Sequence, residues 1–280
     1  MNHNESFYKL AFKNSIFVIK ISGKVLNNHE ALQNVTENIK ALQNYGVKIV
    51  IICGFGVQLD EMSEKIYNRK PEKINGRRVT LDGDIECAKM CCGKIIADIS
   101  GMLNLQSASF VSHFPINNSI IGIEKRSVGN FGMVGNIFVV HGNKIREILN
   151  NEGILLCASL GINHQNGEIL NINADTTASK IAVAIGADKI IFISDVPFVM
   201  NRDGGKISVI KYSEIEPLMN SGAIKDGMFV KMENIKESIF GGVSKIHIIS
   251  GLEQNSLVNE IFSKDGIGTV IESDEKMYNY

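Results

Sequence analysis

The stretch NINADTTASK, Asn171 to Lys180, places Asn171, Asn173, Asp175, Thr176 and Thr177 between two apolar runs. Neither a buried strand nor a solvent-facing helix requires polar groups at these spacings, so they are candidates for contact with a ligand. Lys20 is a second such residue. Its neighbours Phe17, Val18, Ile19 and Ile21 are apolar. A lysine in such a run either points outward or holds its ammonium toward a charge it must neutralise. Lys231, in DGMFVKMENI, falls at a helix start that Asp226 can cap, and is either solvated or a second such cation. Gly23 closes KISGK, and Gly54 and Gly56 punctuate CGFG. Glycines there are either plain turns or places where backbone N–H groups approach an anion at a helix amino terminus.

The elements that must carry these residues alternate along the chain. SIFVIKIS, VKIVIICG, ILLCASL, KIIFISDV, KIHIIS and GTVIE read as short buried strands, with SASFVSH and SIIGIEK as further short strands. Between them HEALQNVTENIKALQNYG, VQLDEMSEKIYNR, IECAKMCCGKIIADISGMLN, GNKIREILNNEG, TTASKIAVAIGA, SEIEPLMNSGAI, MFVKMENIKESIFGG and SLVNEIFSK carry helical patterns. EKINGRRVTLDGD reads as turn-rich, GGK at Gly204 to Lys206 as a hairpin turn, and DEKMYNY as a frayed end. Apolar strands separated by amphipathic helices predict a three-layer αβα sandwich around a mainly parallel sheet. In such sheets ligands bind beyond the carboxyl ends of the strands, where Gly23, Gly54 and Asn171 fall.

Composition narrows the classes. The chain has 280 residues, 44% of them hydrophobic and 21% charged, enough for a substantial core. A net charge of -1 gives no electrostatic reason to expect nucleic acid or a membrane surface. The five cysteines, Cys53, Cys87, Cys91, Cys92 and Cys157, sit in apolar stretches without C-x-x-C spacing, which suggests packed thiols in a reducing cytoplasm. No apolar run approaches the roughly 20 residues of a membrane span, and the amino terminus lacks a signal-peptide core. His113, His141 and His164 have no acid or nucleophile at a catalytic spacing. No metal ligand is assigned.

VIKISGK, NGRRVT, LNINADTTASKIAVAIGA, IFISDVPFV, KDGMFVK and EIFSKDGIGTVI occur in an order and spacing that resemble the amino acid kinase family, its acetylglutamate-phosphorylating members above all. The resemblance covers nearly the whole chain and implies one domain, 1–280, with an amino-acid-binding and dimerising lobe over about 1–170 and an ATP lobe over 171–280. It implies transfer of the γ-phosphoryl of ATP to the γ-carboxylate of N-acetyl-L-glutamate in arginine biosynthesis, with Mg2+ held mainly by the nucleotide phosphates. By the same resemblance Lys20 and Lys231 would flank the transferring group and Asp175 would orient them. Backbone N–H groups near Gly23 and Gly54 would hold phosphoryl oxygens. Gly54, Phe55, Arg78 and Asn171 would bind the acyl-amino acid, with Arg78 on a carboxylate, and Ser194, Asp195 and Lys231 would meet the nucleotide. A homodimer is implied, with ESFYKLAFKN as the remnant of a helix that builds larger assemblies.

Three positions depart from the family pattern, each where glycine is usual: Ser22 before Gly23, Phe55 within Cys53-Gly54-Phe55-Gly56, and Phe198 in DVPFV. If the Gly54 to Gly56 loop cradles phosphate, Phe55 offers only its N–H and its ring must swing away. If the ring fills the phosphoryl position instead, the chain is a weakly catalytic amino-acid sensor. A kinase of another acyl-amino acid, or of a carrier-linked aminoadipate, is the remaining alternative.

Overall fold

Ile16–Ile21 is a hexapeptide of mostly β-branched residues, and all but its first residue are buried. A strand with apolar side chains on both faces is stable only where both faces of its sheet are covered, as in a parallel α/β sheet. The computed structural model describes residues 10–74, 76–222, 224, 226–263 and 266–274, with the backbone alone at Asp226. Its first half runs β1 (Ile16–Ile21), α1 (Gly23–Leu26), α2 (His29–Asn44), β2 (Lys48–Cys53), α3 (Gly56–Tyr67), β3 (Lys73–Ile74), β4 (Arg77–Arg78), α4 (Asp82–Leu105), β5 (Phe110–His113), β6 (Ile121–Lys125), β7 (Gly135–Val140), α5 (Gly142–Glu152) and β8 (Ile154–Ala158). The second half runs β9 (Leu160–Ile162), β10 (Ile169–Asn171), α6 (Ala174–Ile185), β11 (Lys189–Ser194), β12 (Val199–Met200), β13 (Lys206–Ile207), β14 (Val209–Lys211), α7 (Tyr212–Asn220), α8 (Asp226–Phe240), β15 (Lys245–Ser250), α9 (Ser256–Phe262) and β16 (Thr269–Glu272).

The central sheet has eight strands in the order β14-β16-β15-β11-β1-β2-β8-β5. Its neighbours are all parallel except β15 and β16. Side chains alternate between two cores. Phe17, Ile19 and Ile21 enter a cluster shared with α2, α3, α4 and α9. Val18 enters the opposite cluster, shared with α5, α6, α7 and α8. The three-layer arrangement expected from the sequence is therefore present, and the sheet runs without a break across the two halves of the chain.

Every strand and helix read from the sequence is present, but β14 of the central sheet and the one-turn helix α1 were not among them. The GGK segment is a hairpin turn between β12 and β13. Besides the two-residue pairs β3–β4 and β12–β13, four strands are additional: β14 at the edge of the central sheet, β7, which pairs antiparallel with β6, and the β9–β10 hairpin. β7 follows the glycine-rich SVGNFGMVG, which hides its start, and β9 and β10 are each only 3 residues long. Of ESFYKLAFKN, residues 10–12 are helical and 5–9 lie outside the described residues. Of DEKMYNY, Asp274 is tied down by Ser213, whose hydroxyl donates to it at 3.0 Å, and 275–280 lie outside the described residues. The Asp226 side chain, expected to cap α8, also lies outside them.

Candidate active site

Strand alternation puts Lys20 on the face of Val18, beneath α6, so its largely buried side chain points into the molecule. Its ammonium meets Asp175 at 3.0 Å. Asp175 lies in the first turn of α6, whose amino terminus is fixed by Asn173: the Asn173 side chain accepts from the N–H of Thr176 at 2.9 Å. The other end of the helix stops at Gly186 in the left-handed conformation, φ 60°. In NINAD, Asn173 is thus the cap that aims the acid, and the acid also complements the helix dipole.

The second carboxylate oxygen of Asp175 accepts from Lys231 Nζ at 2.9 Å. Lys231 comes from α8, which packs on α6, and its ammonium stands 4.3 Å from the centroid of the Phe192 ring. One carboxylate therefore bridges two ammoniums, and the trio carries one positive charge over. Burial opposes the charge on Asp175, but Lys20 and Lys231 outweigh it and hold the carboxyl below the usual carboxylate range. Burial pulls Lys231 down to about 8, with Asp175 resisting and Lys20 assisting. A desolvated site with surplus positive charge favours an anion.

Lys20 and Asp175 line a cleft of about 670 Å³, together with Gly23, Gly54, Phe55 and Gly56. Gly54 is a point of close approach: a Cβ there would come 3.3 Å from Lys20 Cε and 3.4 Å from Ala174 Cβ. Its N–H, however, donates to the Ile21 carbonyl at 2.9 Å. The expected phosphate-holding N–H is therefore not that of Gly54. The first N–H groups of α3, from Gly56 onward, have no partner within the helix and stand next to Gly54 at this wall. Phe55 precedes them with φ -123° and ψ 16°, so no glycine conformation is required. Its ring is 2% exposed and belongs to the core cluster of α2, α3 and α4.

The same cleft is lined by Arg77, Arg78, Arg126, Lys180 and Asn171, with Asp60 and Glu124 as further carboxylates. Arg78 pairs with Asp60, and its Nε is buried with no hydrogen-bond partner among the described residues. Burial lowers the basicity of Arg78 and, with Arg77 nearby, that of Arg126. Arg126 lies over the Phe131 ring at 4.5 Å. The cleft thus combines three guanidinium groups, that of Arg78 with a buried, orphaned donor, with the lysine–aspartate trio, an arrangement suited to a small molecule with carboxylates beside a phosphate chain.

A profile of the amino acid kinase family matches residues 15–250. This chain belongs to that family. It is 34% identical to an acetylglutamate kinase of Campylobacter hominis over 266 residues, covering 95% of this chain and 93% of that one. It is 36% identical to an acetylglutamate kinase of Campylobacter fetus, covering 95% and 94% of the two chains. The fold superposes on N-acetylglutamate synthase from Neisseria gonorrhoeae with a TM-score of 0.89 at 22% identity, covering 97% of this chain and 62% of that one. It also superposes on carbamate kinase from Giardia lamblia, with a TM-score of 0.67 at 16% identity and coverage of 93% and 99%.

As a member of this family the chain brings Lys20, Gly23, Gly54, Phe55, Arg78, Asn171 and Asp175 onto one cleft. Lys231 stands behind Asp175. Asp195 does not line the cleft. It accepts from Lys24 at 2.7 Å; burial opposes its charge, but Lys24, with Lys20 assisting, holds it below its ordinary range. Ser194 Oγ donates to the Val196 carbonyl at 3.1 Å. No histidine lines the cleft among the described residues, and the five cysteines are free and buried, with burial pushing the Cys53 thiol up. Arg126, Lys180 and Glu124 were not singled out from the sequence. The one available signal was the charged run Glu124-Lys125-Arg126 at the end of a strand.

Proposed function

We propose that this chain is an ATP-dependent kinase of N-acetyl-L-glutamate, transferring the γ-phosphoryl group to the γ-carboxylate and so serving arginine biosynthesis. The observation that carries the reading is the bridging of Lys20 and Lys231 by Asp175 on a cleft that Arg78 and Asn171 also line. Its support is the set of acetylglutamate kinases at 34% and 36% identity over nearly full length.

In this reading the acceptor needs no general base, since a carboxylate is already ionised near neutral pH. The chain must instead align two anions in line and stabilise the charge spread over the equatorial oxygens of the transferring group. Lys20 and Lys231 supply that charge from opposite sides of Asp175, which keeps two ammoniums together in a buried place. The free N–H groups at the start of α3, and backbone near Gly23, meet phosphoryl oxygens. Arg78, through its unpartnered Nε, takes a substrate carboxylate, and Asn171 holds the acylated end. Ser194 and Asp195 belong to the nucleotide side, at the carboxyl end of β11. A magnesium ion bound with ATP would be held mainly by the nucleotide phosphates and would neutralise part of their charge.

On this assignment residues 1–170 supply the acceptor-binding part and 171–280 most of the nucleotide-binding part. The enzyme works in the cytoplasm as a homodimer, which light scattering at micromolar concentration tests; a monomer there contradicts it. The decisive assay is ADP formation with and without N-acetyl-L-glutamate, with N-acetyl-L-aspartate and N-acetyl-L-aminoadipate as comparators. Strong dependence on the glutamate compound is expected. Preference for a comparator moves the substrate, and no acceptor-dependent turnover ends the kinase reading.

A further inference from the structure

Thr80 is completely buried and joins three separate segments of the chain. Its N–H donates to the Phe131 carbonyl at 3.0 Å, and its own carbonyl accepts from the N–H of Met133 at 2.7 Å. Its hydroxyl oxygen accepts from Nδ2 of Asn171 at 2.9 Å. The circuit closes through the Asn171 N–H, which donates to the Met133 carbonyl at 2.9 Å. Gly132 makes this closeness possible: it has φ +69°, and a Cβ there would come 2.2 Å from the Thr80 carbonyl oxygen. Arg78 lies two residues before Thr80, so one short segment carries both the buried guanidinium and the anchor of Asn171.

We propose that Thr80 is a positioning residue for the acceptor substrate: its hydroxyl anchors Nδ2 of Asn171, so that the amide presents its carbonyl oxygen, Oδ1, to the N–H of an acyl-amino acid. The inference rests on the reading that this cleft holds such a compound. A side-chain amide has donors at one end and an acceptor at the other, and the two ends have nearly the same shape. Without an anchor the Asn171 amide can turn over, and half of its orientations then set donors against a donor. With Nδ2 engaged by Thr80, the acceptor end is left for the ligand before the ligand arrives, which is preorganisation of the kind that lowers the cost of binding.

The substitution that tests this is clean, because two of the three Thr80 bonds are made by its main chain and survive a change of side chain. Thr80→Val removes the hydroxyl at nearly constant volume, and Thr80→Ser keeps it. Steady-state kinetics of Thr80→Val are expected to show KM for N-acetyl-L-glutamate raised roughly tenfold, with KM for ATP unchanged, in line with the loss of one oriented hydrogen bond. Thr80→Ser is expected to restore the wild-type KM. In an Asn171→Ala background, Thr80→Val is expected to add nothing further. An unchanged acceptor KM in Thr80→Val, equal rises in both KM values, or full additivity with Asn171→Ala overturns the proposal.

A second measurement needs no turnover and no acceptor. In nuclear magnetic resonance spectra of the wild-type protein, the side-chain amide of Asn171, assigned by its disappearance in Asn171→Asp, is expected to show one proton slowed in exchange with solvent. That protection is expected to vanish in Thr80→Val and persist in Thr80→Ser. An unprotected wild-type amide overturns the anchoring, and it does so even if Thr80→Val does not fold. A wild-type protein that fails to phosphorylate N-acetyl-L-glutamate would instead refute the function proposed above, while the exchange measurement still decides on Thr80.

Discussion

The two sides of the cleft are built differently. Lys20 projects from a central strand paired on both sides, and Asp175 and Lys231 project from helices packed on that sheet and on each other. Arg78, Asn171 and Arg126 stand on two-residue and three-residue strands and on the chain after a hairpin strand, held by Asp60, Thr80 and Phe131. Under the proposed function the contrast follows from what each group would do. Charges that meet a transferring phosphoryl group gain from rigid placement, because misplacement raises the barrier steeply. Groups that recognise an acceptor can sit on shorter elements, provided side-chain bonds fix their orientation.

The largest effect is expected where the two sides meet. Phe55 is buried in the core beside the phosphate loop, so Phe55→Gly creates a cavity and should destabilise the fold by about 3–5 kcal/mol. Denaturant unfolding checks it. A change below about 1 kcal/mol would mean that the core closes around the gap.

On the rigid side, Lys20→Ala and Lys231→Ala should each lower kcat by roughly 10²-fold or more while the protein stays folded, the loss seen when one preorganised donor is removed from a developing charge. Full activity in either variant would take that lysine out of the mechanism. On the hairpin side a smaller and differently placed effect is expected. Arg78→Lys should raise the KM for N-acetyl-L-glutamate about tenfold with little change in kcat, because lysine keeps the charge and loses the planar fork. A fall in kcat with KM unchanged would erase the distinction between the two sides.

The smallest expected effect is in pH dependence. Burial pulls the Lys231 ammonium down to about 8, below the ordinary lysine value. Acceptor-dependent kcat/KM should therefore fall about threefold between pH 7.5 and 8.5 as the ammonium loses its proton, and Lys231→Arg should abolish that fall. Stability should move the other way. Between pH 8 and the unfolded lysine's value the unfolded chain binds more protons, so the cost of burying the charged lysine is relieved and stability rises with pH. Asp175 acts at the acidic end: its lowered pKa contributes stability that is present above the unfolded carboxyl value and is lost as pH falls toward the folded one. Activity and stability that decline together above pH 8 would show that another group governs the profile.

The alternation of strands and helices, hence the layered parallel sheet, is legible in the residues alone, because hydrophobic period is a local property of the chain. The sequence also marked Lys20 as anomalous, since a lysine among Phe17, Val18, Ile19 and Ile21 has no local explanation. The roles of Asp175 and Lys231 came by resemblance. Only the tertiary structure decided that Lys20 faces inward, because that depends on which helix covers each face of the sheet. Only the structure assigned the Gly54 N–H to Ile21, sent the Phe55 ring into the core, and gave Thr80 to Asn171, 91 residues away in the chain. Hydrogen-bond partners so far apart leave no periodicity in the sequence; they are fixed only once the cores on both faces of the sheet have closed and every buried polar group must find a partner.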